Sequence, residues 1–294
     1  MNIPYSWASP EVDSLIKDES SKLKQARDAI SERFGLSCNK IAREDLTYVA
    51  MPEILSGQYC VLSGNEHLLT ISPPLQAFLA YAISIYDTIA DHHLYKDGKP
   101  TFLKTYGKDS VLSAGELYRE AISKLSKELE KEVCGATRVA EEMYLNTIKW
   151  DKLRNSKIFS PRKTLLLQNK LVGEHAYNVA VLSNARELGN FSSCLVNAIT
   201  TLEDLIDLFH GEDFTGKKTT IPISLLVDEF GFLIQDYEAI KKSRAIQRTK
   251  EYIMERICSS KRMLNRYDSK KTLFLSKIID AISDFNGRFL AEYL

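Results

Sequence analysis

Two carboxylates one helical turn apart, Asp87 and Asp91, end a stretch that is otherwise apolar, and a basic glycine–proline turn follows at once. Residues 75–90 carry Leu75, Leu79, Ala82, Ile83 and Tyr86 at three- and four-residue steps, the helix period. Both acids therefore fall on one face near the end of a buried helix. Apolar helices rarely present two acids without a cation to receive them, and helix C-termini favour positive charge. Lys96, Gly98, Lys99 and Pro100 then bring cations to the same place. The pattern recurs later. A helix from Phe191, with Leu195, Ile199, Leu202, Leu205, Ile206 and Phe209 on its apolar side, carries Glu203, Asp204 and Asp207 and is followed by Gly216, Lys217 and Lys218.

Acids followed by a basic loop suit a metal-bridged polyphosphate. Magnesium takes hard oxygen ligands, one or two carboxylates together with substrate phosphates. Two acid-bearing helices facing each other would hold two or three magnesium ions on one shared diphosphate, and the lysines would hold its remaining charge. Loss of diphosphate leaves a carbocation, and stabilising the departing negative charge is where a metal helps. Phe78, Tyr81, Ile85 and Tyr177 are candidates to line a hydrocarbon cavity. His92 and His93 read as turn residues, since a zinc site needs a third ligand at suitable spacing and none is evident.

The elements that must position these residues are helices. Ser9-Pro10-Glu11 starts a helix closed by Gly35, after an arm at residues 1–9 expected to be flexible. A weaker helix over 41–63 is expected to break near Gly57. Residues 63–74 read as a loop, and Pro73-Pro74 launches the helix that ends in Asp87 and Asp91. Helices follow at 108–132 and 136–153. Residues 163–188 are helical with a weak spot at Gly173. After the helix from Phe191 come 221–230, 234–260 and 270–292.

Low glycine (13) and proline (8) fit such long helices. Lys plus Arg equals Asp plus Glu, 39 each, which argues against a nucleic-acid partner and leaves anion binding to local clusters. Five scattered cysteines without a CxxC read as reduced thiols of a cytoplasmic protein. The N-terminus lacks the basic-then-apolar order of a signal peptide. No apolar run reaches the ~20 residues needed to span a bilayer.

Residues 75–118, with DTIAD, then DGKPTFLKTYG, then VLSAGELY, resemble the first aspartate-rich region of trans-isoprenyl diphosphate synthases. ITTLEDLIDLFHGEDFTGKKTTIPISLL (199–226) is similar to the second. The resemblance implies one all-α domain over residues 1–294, an isoprenoid synthase-type bundle of about ten to thirteen helices around a central prenyl cavity. It implies a magnesium-dependent prenyl diphosphate synthase or prenyltransferase. Metal would be held by Asp87, Asp91, Glu203, Asp204 and Asp207. Diphosphate would be held by Lys163 or Lys170, either of which corresponds to the family's helix-kinking lysine, with Lys99, Lys217 and Lys218. Thr200 stands where the family has a substrate-side glutamine. A homodimer is expected, or a heteromer with an active synthase.

The departures are uneven. The first motif, DDxxD in the family, has Thr88 in place of its second acid; the arginine pair after it is replaced by Tyr95-Lys96-Asp97, and VLSGNEHLL (61–69) lacks the upstream lysine and arginine. Sites for the allylic diphosphate are largely kept, and those for isopentenyl diphosphate largely lost. The alternatives are therefore a class I terpene cyclase, a prenyltransferase using another acceptor, or a non-catalytic regulatory subunit.

Overall fold

The computed structural model describes residues 7–45, 50–90, 94–96, 99–154, 160–210, 219–232, 234 and 236–293. Asp91, His92, His93, Gly98, Gly216, Lys217 and Lys218 lie outside them. The described chain is helical apart from one hairpin of two-residue strands. In order it comprises α1 (Pro10–Arg33), α2 (Lys40–Asp45), α3 (Met51–Leu62), α4 (Ser72–Ala90), β1 (Tyr95–Lys96), β2 (Lys99–Pro100), α5 (Phe102–Tyr106), α6 (Lys108–Leu129) and α7 (Ala136–Arg154). After these come α8 (Pro161–Gln168), a π-helical segment (Asn169–Gly173), α9 (Glu174–Leu182), α10 (Gly189–His210), α11 (Ile221–Phe230), α12 (Tyr237–Lys241), α13 (Arg244–Leu264) and α14 (Leu273–Tyr293). The chain forms two compact units, one of residues 1–14, 149–177 and 190–294, the other of 15–148 and 178–189. All five cysteines are free thiols.

In the 15–148 unit, α4 packs against α3 and α6. Its apolar face, Leu75, Leu79, Ala82 and Ile85, is fully buried. Phe78 and Tyr81 both lean on Tyr118, with ring centroids 5.8 Å apart in each pair. The double proline does open α4, behind Ser72. Gly57 does not break a helix: it lies inside α3, and a Cβ there would meet the Leu23 methyls of α1 at 3.0 and 3.2 Å. The glycine serves a close helix approach. Beside this crossing, Arg27 and Glu53 form a buried ion pair at 2.5 Å. Burial outweighs the arginine and pushes Glu53 up to about 7.

In the 190–294 unit, the expected apolar side of α10 is buried as patterned, and Phe209 joins Phe289 of α14 at a centroid distance of 5.7 Å. The helix expected over 234–260 is two: Ser243 ends the first and caps α13, accepting the Ile246 N–H at 3.3 Å. Trp7, in the stretch expected to be a flexible arm, is only 7% exposed, so the described end of that arm is docked by its one large apolar side chain. The termini of α6, α7, α11 and α14 fall within a few residues of the sequence expectation.

Candidate functional site

Glu203, Asp204 and Asp207 follow Thr200 at three, four and seven residues, toward one side of α10. Asp204 is 4% exposed, Asp207 and Thr200 are half-buried, and Glu203 is open to solvent. A carboxylate as buried as Asp204 is costly without cations or donors to match it.

The partner of this face within the same unit is α8 and the segment after it. Ser192 Oγ donates to the Ala176 carbonyl at 2.6 Å. Gly173 lies so close to α10 that a Cβ would sit 2.7 Å from Ser193 Oγ and 2.8 Å from Asn197 Nδ2. Gln168 Nε2 donates to Thr201 Oγ1 at 2.8 Å. The paired residue numbers fall on one side as they rise on the other, so the two stretches run antiparallel. Carried one turn further, this register runs toward the fully buried Thr164 on one side and Asp204 on the other, with Lys163 one residue beyond Thr164. Lys170, exposed in the π-helical turn, lies more than a turn away along the seam. The weak spot expected at Gly173 is this π-helical turn, a deviation that recurs at functional sites. Sequence reasoning passed over Gln168 and Asn197. Gln168 Oε1 and Asn197 Oδ1 are both buried without a hydrogen-bond partner among the described residues. The signal available was two amides inside apolar helical runs.

In the other unit the backbone places Asp87 in the last turn of α4. That turn is held by Tyr86, whose ring lies edge-on to Tyr144 at 5.7 Å and meets α6 at Gly115, 3.4 Å from where a Cβ would be. Thr88, at the family's second acid, turns its hydroxyl back to donate to the Ser84 carbonyl at 2.9 Å. Lys99 lies in β2, opposite Lys96, and the expected turn is a short antiparallel hairpin closed by Thr101 N–H to the Leu94 carbonyl at 3.0 Å. Phe78 has no accessible surface and packs on Tyr118; Tyr81 is nearly as buried.

Among the described residues no three His, Cys, Asp or Glu side chains converge as a metal cluster. The Asp204–Asp207 face nevertheless offers the hard oxygen donors that magnesium prefers.

The sequence matches no family profile and no curated protein. Solved structures do match, and they define an all-helical isoprenoid synthase architecture. Within that class the chain has the trans-isoprenyl diphosphate synthase fold. It is similar to a decaprenyl diphosphate synthase from Rhodobacter capsulatus, with TM-score 0.74 and 14% identity over 96% of this chain and 99% of that one. It is similar to a geranylgeranyl pyrophosphate synthetase from Pyrococcus horikoshii, with TM-score 0.73 and 15% identity over 93% and 99%. A third is a polyprenyl synthase from Caulobacter crescentus complexed with calcium and isoprenyl diphosphate, with TM-score 0.65 and 14% identity over 94% and 98%.

Proposed function

We propose that this protein is a magnesium-dependent transferase that ionises an allylic prenyl diphosphate. The reading is supported by the antiparallel seam of α8 and α10, fastened by Gln168 to Thr201, with the buried Asp204 one turn further along α10 in a chain that has this fold. The fold's solved members include a polyprenyl synthase bound to a divalent cation and an isoprenyl diphosphate. Magnesium, when bound, neutralises the charge that gathers on the departing diphosphate. Asp204 and Asp207 hold the ion and Glu203 adds a solvent-side oxygen, while Asp87 and Asp91 supply the carboxylates of the first motif. Lys163 reaches the diphosphate as a point charge; Lys170, Lys99, Lys217 and Lys218 are its further candidate contacts. The rigid helix α10, carrying Thr200, Asp204 and Asp207, does the orienting.

A homodimer accompanies this reading. The groove along α6 and α7, about 780 Å³, leaves Leu145 62% exposed, an apolar side chain that a second copy would cover.

The test is incubation of the purified protein with labelled farnesyl or geranylgeranyl diphosphate and magnesium, with and without isopentenyl diphosphate. Diphosphate release that needs magnesium and disappears in Asp204→Asn supports the proposal. Consumption of isopentenyl diphosphate assigns elongation, and product formed without it assigns cyclisation or another acceptor. No release under any pairing overturns the enzymatic reading in favour of a regulatory subunit.

A further inference from the structure

The charge balance of the chain hides a local excess. The tip of the α13–α14 hairpin, residues 261–280, holds Lys261, Arg262, Arg266, Lys270, Lys271 and Lys277 against only Asp268 and Asp280. Both acids are engaged. Asp280 takes Lys261 at 2.7 Å. Asp268 Oδ1 accepts the Lys270 N–H at 2.7 Å, and its carbonyl accepts the Thr272 hydroxyl at 3.1 Å. Arg266, Lys270, Lys271 and Lys277 are exposed and pair with no acid among the described residues. The bonds to Asp268 also fix the turn, so these cations project from an ordered tip. Among them stands Leu273, the first residue of α14, 56% exposed.

We propose that this tip docks onto the anionic face of a lipid bilayer, with the four unpaired cations in the headgroup layer and Leu273 inserted beneath them. A compact basic cluster is attracted to anionic headgroups, and the attraction accumulates with each charge. An exposed apolar side chain set among cations adds the burial that an interfacial anchor needs. Nucleic-acid phosphates would use the charges but leave Leu273 in water. None of these residues belongs to the candidate site, so the inference does not depend on the catalytic reading.

The experiment is co-sedimentation of the full chain with vesicles of phosphatidylcholine alone and of phosphatidylcholine with about a third phosphatidylglycerol. Binding should be confined to the anionic vesicles and lost as salt approaches ~1 M, where screening is complete within a few ångströms. The pair Lys270→Glu and Lys271→Glu should weaken it roughly tenfold or more, and Leu273→Ser several-fold. The pair Lys127→Glu and Lys131→Glu, reversing the same charge on another exposed surface, should leave it intact. Circular dichroism and melting confirm that each variant folds. The proposal is overturned by equal binding to neutral vesicles, by no binding, by an equal loss in the control pair, or by full displacement from vesicles by a DNA duplex.

Discussion

Asp204 combines two demands that a surface acid does not: it is nearly buried, and it lies in mid-face on α10 between Thr200 and Asp207. A residue held that way by function should cost more in turnover than in stability. Asp204→Asn keeps the shape and removes the charge, so the melting temperature should change little, while magnesium-dependent diphosphate release falls by roughly 10²- to 10³-fold. Calorimetry and a release assay on the same preparation check both halves. Glu53 makes the opposite case, a buried acid whose role is structural. Its native pKa of about 7 lies above its ordinary 4.5 because desolvation, the largest cause, outweighs Arg27, and Asp28 adds to the rise. Between those two values the folded chain keeps a proton that the unfolded chain has released. Its contribution is therefore full below pH 4.5 and is lost as pH rises through 7. The loss is on the order of 3 kcal/mol at one pKa unit per ~1.4 kcal/mol. Glu53→Gln should flatten that slope, gaining on the native chain between pH 5 and pH 8 in urea or thermal melts. A parallel slope in the variant would show that Glu53 does not set the pH dependence.

At the scale of elements, two glycines mark where helices come close, and the neighbours decide what each substitution costs. At Gly57 a Cβ meets the end of the Leu23 side chain at 3.0 Å, and that side chain can rotate away. Gly57→Ala should cost less than about 1 kcal/mol. At Gly173 the Cβ would stand 2.7 Å from Ser193 Oγ and 2.8 Å from Asn197 Nδ2, which already donates to the Ser193 carbonyl at 2.9 Å. Gly173→Ala must displace both side chains and the bond between them, and should cost about 1–3 kcal/mol, read as a lower urea midpoint. The two glycines also show what the sequence could and could not convey. Gly57 read as a break because a lone glycine in a weak helical pattern carries no information about a leucine from α1. Gly173 read correctly as a weak spot, since the pattern falters locally. The apolar face of α10 and the double-proline start of α4 were legible because periodicity and backbone chemistry are local. The antiparallel register of this seam was not, because it is set by Ser192 and Thr201, polar residues whose partners Ala176 and Gln168 lie more than fifteen residues away. The burial of the Gln168 and Asn197 amide oxygens was invisible for the same reason.

At the scale of the whole molecule, the proposed activity makes a demand that no single element can meet. Asp87 belongs to one compact unit and Asp204 to the other, and each sits on a helix of the kind that the resemblance assigns to diphosphate binding. If both act on one ligand through shared ions, their contributions to binding cannot be independent. Removing either should already cost most of the magnesium-dependent affinity for a non-hydrolysable prenyl diphosphate, and removing both should cost little more than the worse single change. Residues that act as a unit behave in this way, whereas distant, separate sites give additive losses to within a few tenths of a kcal/mol. The measurement is a double-mutant cycle with Asp87→Asn and Asp204→Asn, titrated by calorimetry at fixed magnesium, with a magnesium-free arm to subtract binding that needs no metal. Strong non-additivity confined to the magnesium arm would tie both acid clusters to one substrate. Simple addition in that arm would separate them and leave α10 to bind its cation alone.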